Sequence, residues 1–143
     1  AWSRVGEFQR ELAAMVPGQA ADAIYRNQVL VNLMPGFWQA RTALAWSLVR
    51  LDQFEASLRV VQEAKDIRVL DSAGAYLAYY IQGAALRELG QADEARAAAR
   101  CSIAYTPTNQ SIDLLRLLGE DVGSEIALTD ADYAICPEVA TEG

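Results

Sequence analysis

Few side chains in this sequence are equipped for chemistry. Cys101 and Cys136 are its only cysteines, and histidine is missing altogether. That removes the commonest general base and metal ligand, along with any Ser-His-Asp or Cys-His set. Carboxylates stand close together at Glu7 and Glu11, at Asp93 and Glu94, and at Asp130 and Asp132. The first two pairs read as solvated helix faces. Asp130 and Asp132 offer oxygens to a hard cation, but an EF-hand loop needs more ligands and a central glycine. The nine glycines are scattered, so no loop cradles a phosphate. The expectation is no catalytic residue, no metal and no cofactor: the chain is not an enzyme.

The two cysteines have neither metal spacing nor a CxxC motif. Cys101 follows an alanine-rich run and reads as a buried small apolar residue. Cys136, just before Pro137, reads as an exposed thiol, with a bridge between the two as the alternative. The opening residues AWSRVGEFQRELAAM lack the basic and long apolar segments of a secretory signal. With no disulfide framework either, the expectation is a reducing, cytoplasmic setting.

Charge divides the chain. The net charge is −7, yet acids and bases balance from Ala1 to Gly119. The whole excess comes from the seven acids of Glu120 to Gly143, a stretch without a base. A neutral body with an acidic tail attracts neither nucleic acid nor an anionic membrane. No apolar run reaches the ~18 residues of a membrane span, so membrane insertion is not expected. Hydrophobic residues make up 52%, enough for one packed domain of 143 residues.

The elements that must position these groups are helices, because apolar residues recur at spacings of three and four. A first helix is expected over 3–15, with Val5, Phe8, Leu12 and Met15 on one face, ended by Pro17-Gly18. A second follows over 19–33, broken by Met34-Pro35-Gly36. The third runs over 37–51. Asp52 is expected to cap the fourth, with Glu55 as its reciprocal partner, and that helix reaches about Asp66. Asp71-Ser72 starts a fifth, which ends at Leu89 with Gly90 in the left-handed position. A sixth covers 92–105, and a short last helix ends near Leu118. Nothing alternates with a period of two, so the fold class is all-α.

Helices three and four resemble five and six. Leu51-Asp52-Gln53-Phe54-Glu55-Ala56 aligns with Leu89-Gly90-Gln91-Ala92-Asp93-Glu94, an offset of 38 residues. Ala45 and Gly83 each lie six residues before the turn leucine, and Leu48 and Leu86 three before it. Paired helices need a small residue where their backbones come closest and bulk on either side. The better copy runs from Tyr79 through Gly83, Leu86, Leu89-Gly90, Ala92 and Ala95 to Pro107. The other holds Ala45, Trp46, Leu48, Leu51, Phe54, Val61 and Ala64, with Ser57 in place of the second-helix alanine and no closing proline.

This pattern resembles the tetratricopeptide repeat, whose usual period is about 34 residues. The longer offset places extra turn residues at 67–74. On this reading residues 1–119 form one helical domain: an N-terminal pair (1–35), repeat 1 (37–70), repeat 2 (72–107) and a capping helix (109–118). The pairs would stack antiparallel as a short α-solenoid, with an extended acidic tail at 120–143. Eleven arginines to one lysine, with abundant alanine, suggest a GC-rich bacterial genome.

The resemblance implies a concave groove lined by the first helix of each repeat. By position relative to the motif it comprises Gln39, Thr42, Trp46, Val49 and Arg50, then Leu77, Tyr80, Ile81, Ala84, Arg87 and Glu88. Tyr76 and Tyr79 belong to the same aromatic group. Aromatics and arginines are enriched at binding hot spots. The implied partner is another protein or peptide, helical or extended, and the implied role is a chaperone or assembly factor for a bacterial secretion or envelope apparatus. A regulatory or ligand-sensing segment of a larger protein and a scaffold subunit are the alternatives. In the tail, Ile126, Leu128, Tyr133 and Ile135 are expected to pack on the protein's own surface or on a partner.

Overall fold

The computed structural model describes residues 17–66, 72–120 and Cys136. The helix expected at 3–15 lies outside them, as do Asp71 and the tail residues Ile126, Leu128, Tyr133 and Ile135. Every regular element among the described residues is a helix: α1 (Pro17–Leu33), α2 (Trp38–Arg50), α3 (Phe54–Asp66), α4 (Ser72–Glu88), α5 (Ala92–Tyr105) and α6 (Asn109–Leu117). None is long and apolar enough to cross a membrane. Pro17 and Gly18, expected before the second helix, already belong to α1, and proline is tolerated in a helix's first turn, where its missing N–H is not needed. Ser72, Ala73 and Gly74, expected in a turn, already belong to α4.

The chain divides into two compact units, Ala1–Leu70 and Asp71–Gly143. In the first, α2 packs against both α1 and α3; in the second, α5 packs against both α4 and α6. The first core gathers Val31 of α1 with Ala40, Leu44 and Leu48 of α2, flanked by Ile24, Leu30, Ala56 and Val60. Ala20, Ala23 and Asn27 are also buried on α1, and Asn27 Nδ2 donates to the Ala23 carbonyl at 2.9 Å. The inward stripe of α1 is therefore made largely of small side chains.

The two repeated turns share one backbone geometry. Asp52 (φ 59°) and Gly90 (φ 76°), 38 residues apart, both lie in the left-handed region. After α2, the Gln53 N–H donates to the Leu48 carbonyl at 2.8 Å and the Asp52 N–H to Val49 at 3.0 Å. After α4 the equivalents are Gln91 to Leu86 at 2.9 Å and Gly90 to Arg87 at 3.1 Å. This crossed pair is a Schellman closure, which satisfies carbonyls that the helix end leaves open. Gly119 (φ 90°) repeats it after α6. The expected capping role of Asp52 is thus corrected: it closes α2 from beyond its end and does not cap α3, which starts two residues later.

The crossing points fit the small-residue argument. A methyl group on Gly83 would come within 2.9 Å of Leu114 Cδ2 and 3.3 Å of the Ala95 carbonyl oxygen. Here α4 and α5 meet with no room for a side chain. In the first unit the matching residues are Ala45 and Ser57, joined by a buried hydrogen bond.

Candidate functional site

The residues expected to line a binding face fall into two groups by exposure. On α2, Thr42 is buried and its hydroxyl donates back to the Trp38 and Gln39 carbonyls, within its own helix. Gln39, Trp46 and Val49 are half-buried and Arg50 is exposed. On α4, Leu77 and Ile81 are buried, as are Tyr76 and Tyr79. Tyr80 and Ala84 are half-buried, and Arg87 and Glu88 are exposed and ion-paired at 3.2 Å. The side chains within reach of an incoming partner are therefore Gln39, Trp46, Val49 and Arg50 in the first unit. In the second they are Tyr80, Ala84, Arg87 and Glu88.

The buried aromatics have internal work. Tyr79 stacks on Tyr105 of α5, with ring centroids 6.0 Å apart. The Tyr76 hydroxyl donates to Gln110 Oε1 at 3.3 Å, and the Tyr76 carbonyl accepts from Ser102 Oγ at 3.0 Å. Ser102 in turn meets Ser111 Oγ at 2.8 Å, and Thr108 accepts from the Ser111 N–H as the cap of α6. These buried hydroxyls satisfy one another, which is what lets α4, α5 and α6 close over polar atoms. Tyr80 differs. Burial, and after it the negative charge of Asp113, hold its phenol above the ordinary value of 10.0.

Two features escaped the sequence reading. Arg41 is a buried arginine: its Nε donates to the Pro35 carbonyl at 2.9 Å and its Nη1 pairs with Glu63 at 2.8 Å. It ties the turn after α1 to α3, and no spacing in the sequence announces it. The second feature lies on α1, where Tyr25, Val29 and Leu33 recur every four residues along the outer face. Tyr25 is 77% exposed and Leu33 74%. Met34 and Phe37 continue the exposed apolar surface into the turn.

Cys101 and Cys136 form a disulfide, with Cα atoms 5.5 Å apart. Cys136 is fully buried. The expectation of an exposed thiol there is overturned, and the cytoplasmic expectation loses one of its two premises, the absence of a disulfide. Among the described residues, no group of three or more histidine, cysteine, aspartate or glutamate side chains converges as a metal site. Comparison with protein-family models, curated proteins and solved structures found no match to this chain.

Proposed function

We propose that this chain is a protein-binding module that takes a helical or extended segment of another polypeptide and has no catalytic role. The observation that carries the reading is the orientation of α1. Its small residues Ala20 and Ala23 face inward while the bulky Tyr25, Val29 and Leu33 face solvent. Contiguous exposed apolar surface of this kind marks interaction sites. An amphipathic partner helix would set anchors at the matching spacing of i, i+4 and i+8.

The exposed and half-buried residues of α2 and α4 supply further contacts in this reading. Trp46 and Tyr80 offer aromatic area, and Arg50 and Arg87 suit acidic groups on the partner. The repeated turn geometry supports the resemblance to tetratricopeptide repeats, and so does the small-residue crossing. With that resemblance comes the narrower proposal of a chaperone or assembly factor for a bacterial secretion or envelope apparatus.

Cross-linked capture from the native host, followed by titration of the captured protein, tests the reading. Wild type should retain a partner that Tyr25→Ser plus Leu33→Ser, and separately Trp46→Ala plus Arg50→Glu, release at unchanged helix content. Equal retention by wild type and both double variants would sink it.

A further inference from the structure

Three consecutive attachments bring the chain beyond α6 back to α5. Arg96 Nη1 donates to the Leu118 carbonyl at 2.8 Å, Arg100 pairs with Glu120 at 2.5 Å, and Cys101 is bonded to Cys136. The chain therefore leaves α5 at a partner of Arg100 and returns to the very next residue. Residues 121–135 run between these two anchors. The first is an ion pair whose members are both partly exposed, and such pairs hold weakly. The second is covalent and entirely enclosed, with Cys101 2% and Cys136 0% exposed.

We propose that Cys101–Cys136 is a structural disulfide, made as the protein folds in an oxidising compartment, and that it is the latch fixing the C-terminal segment on the second unit. Glu120 to Gly143 has seven acids and no base, so it has little to gain electrostatically from a docked position. Packing its apolar side chains would gain about as much as ordering its backbone costs. A covalent anchor tips that balance because it removes loop freedom from the undocked state. Both sulfurs are enclosed in the folded protein, so a thiolate from solvent cannot reach them. The bond must form before the second unit closes and then resists exchange. In the step, the two thiols lose two protons and two electrons, and a sulfur–sulfur bond forms between Cys101 and Cys136. The electrons pass to a disulfide of the glutathione or thiol-oxidase class, which leaves as two thiols. This inference stands apart from the proposed function, since it depends only on the second unit.

The full chain refolded with oxidised glutathione tests it. Non-reducing peptide mapping should recover one linked peptide spanning Cys101 and Cys136, and no thiol should react with maleimide in denaturant. Hydrogen exchange is then compared between the oxidised protein, the reduced and alkylated protein, and Cys136→Ser. Breaking the bond should raise exchange over residues 121–143 by about tenfold or more while circular dichroism shows α4 to α6 still helical. Two reactive thiols after oxidative refolding, or unchanged exchange over that segment, would overturn the proposal. So would loss of helix in both the alkylated protein and the serine variant, because the bond would then hold the helices and not the tail.

Discussion

Ser57 Oγ donates to the Ala45 carbonyl at 2.7 Å, across the crossing of α2 and α3 and wholly out of water. The equivalent residues of the second unit, 38 positions on, are Ala95 and Gly83. There the backbones approach so closely that the Ala95 carbonyl would stand 3.3 Å from a Gly83 methyl. One crossing is closed by a side-chain hydrogen bond and the other by the absence of a side chain. Ser57, which departs from the repeat pattern, is thus matched by Ala45, which departs from glycine.

Exchanging these residues should have unequal effects. Ser57→Ala forfeits one buried hydrogen bond, and the first unit should lose about 1 kcal/mol. Gly83→Ala gains ~1 kcal/mol of helix propensity but presses on a backbone oxygen, so it should be near neutral. Gly83→Val has no such refuge and should destabilise by about 2–3 kcal/mol. Urea titrations of the three variants decide the matter; a Gly83→Val protein as stable as wild type would show that α4 and α5 are not in close contact there.

The left-handed residue of each turn makes a reciprocal prediction. Asp52 holds φ 59° where Gly90 holds φ 76°. Only glycine adopts this region without a side-chain penalty, which is roughly 1–2 kcal/mol for most residues and less for aspartate. Asp52→Gly should raise stability by about 0.5–1 kcal/mol and Gly90→Asp should lower it by a similar amount. Thermal melts that moved the same way for both variants would contradict the shared geometry.

Arg41 and Glu63 are bonded to each other yet should respond very differently. The arginine side chain is 5% exposed and the glutamate 61%. Glu63→Gln breaks a largely solvated ion pair and should cost no more than about 0.5–1 kcal/mol. Arg41→Ala removes a buried stem and orphans the Pro35 carbonyl, so about 2–3 kcal/mol should be lost. Equal losses from the two substitutions would mean that the pair itself, and not the tie to Pro35, stabilises the unit.

Tyr80 predicts an alkaline limit. Its folded-state phenol sits above 10.0, through burial first and the Asp113 charge second. The folded protein holds this proton more tightly than the unfolded chain does. The contribution is therefore complete below pH 10 and is lost as pH rises from there through the folded value. Melting temperatures between pH 9 and 11 should fall more steeply for wild type than for Tyr80→Phe, with Asp113→Asn between them. Parallel curves for wild type and Tyr80→Phe would rule this out.

The disulfide closes a separation of 35 residues. By the chain-entropy relation such a bond stabilises by about 4 kcal/mol. Reduction in mild denaturant should lower the second unit's unfolding midpoint accordingly. A midpoint indifferent to reductant would show that the bond adds nothing to its stability.

Local patterns carried much of this protein. Spacings of three and four placed α2 to α6 to within a few residues, because helix periodicity and Pro or Gly punctuation are properties of neighbouring positions. The 38-residue match aligned Leu51-Asp52-Gln53 with Leu89-Gly90-Gln91, yet only Gly90 was expected in the left-handed region, and the backbone placed Asp52 there as well. The inward face of α1 was beyond reach of periodicity. Ile24, Tyr25, Val29, Leu30, Val31 and Leu33 are apolar around most of the helix, so only packing against α2 turned Val31 inward and Tyr25 outward. Asp52 was equally suited to cap the helix after it or to close the one before it, and the turn backbone chose. Likewise, the repeat resemblance assigned Thr42, Leu77 and Ile81 to a binding face, but packing draws them into the interior. Cys101 and Cys136 met for the same reason: pairing over 35 residues depends on where the folded chain brings two side chains, and that is decided by tertiary packing.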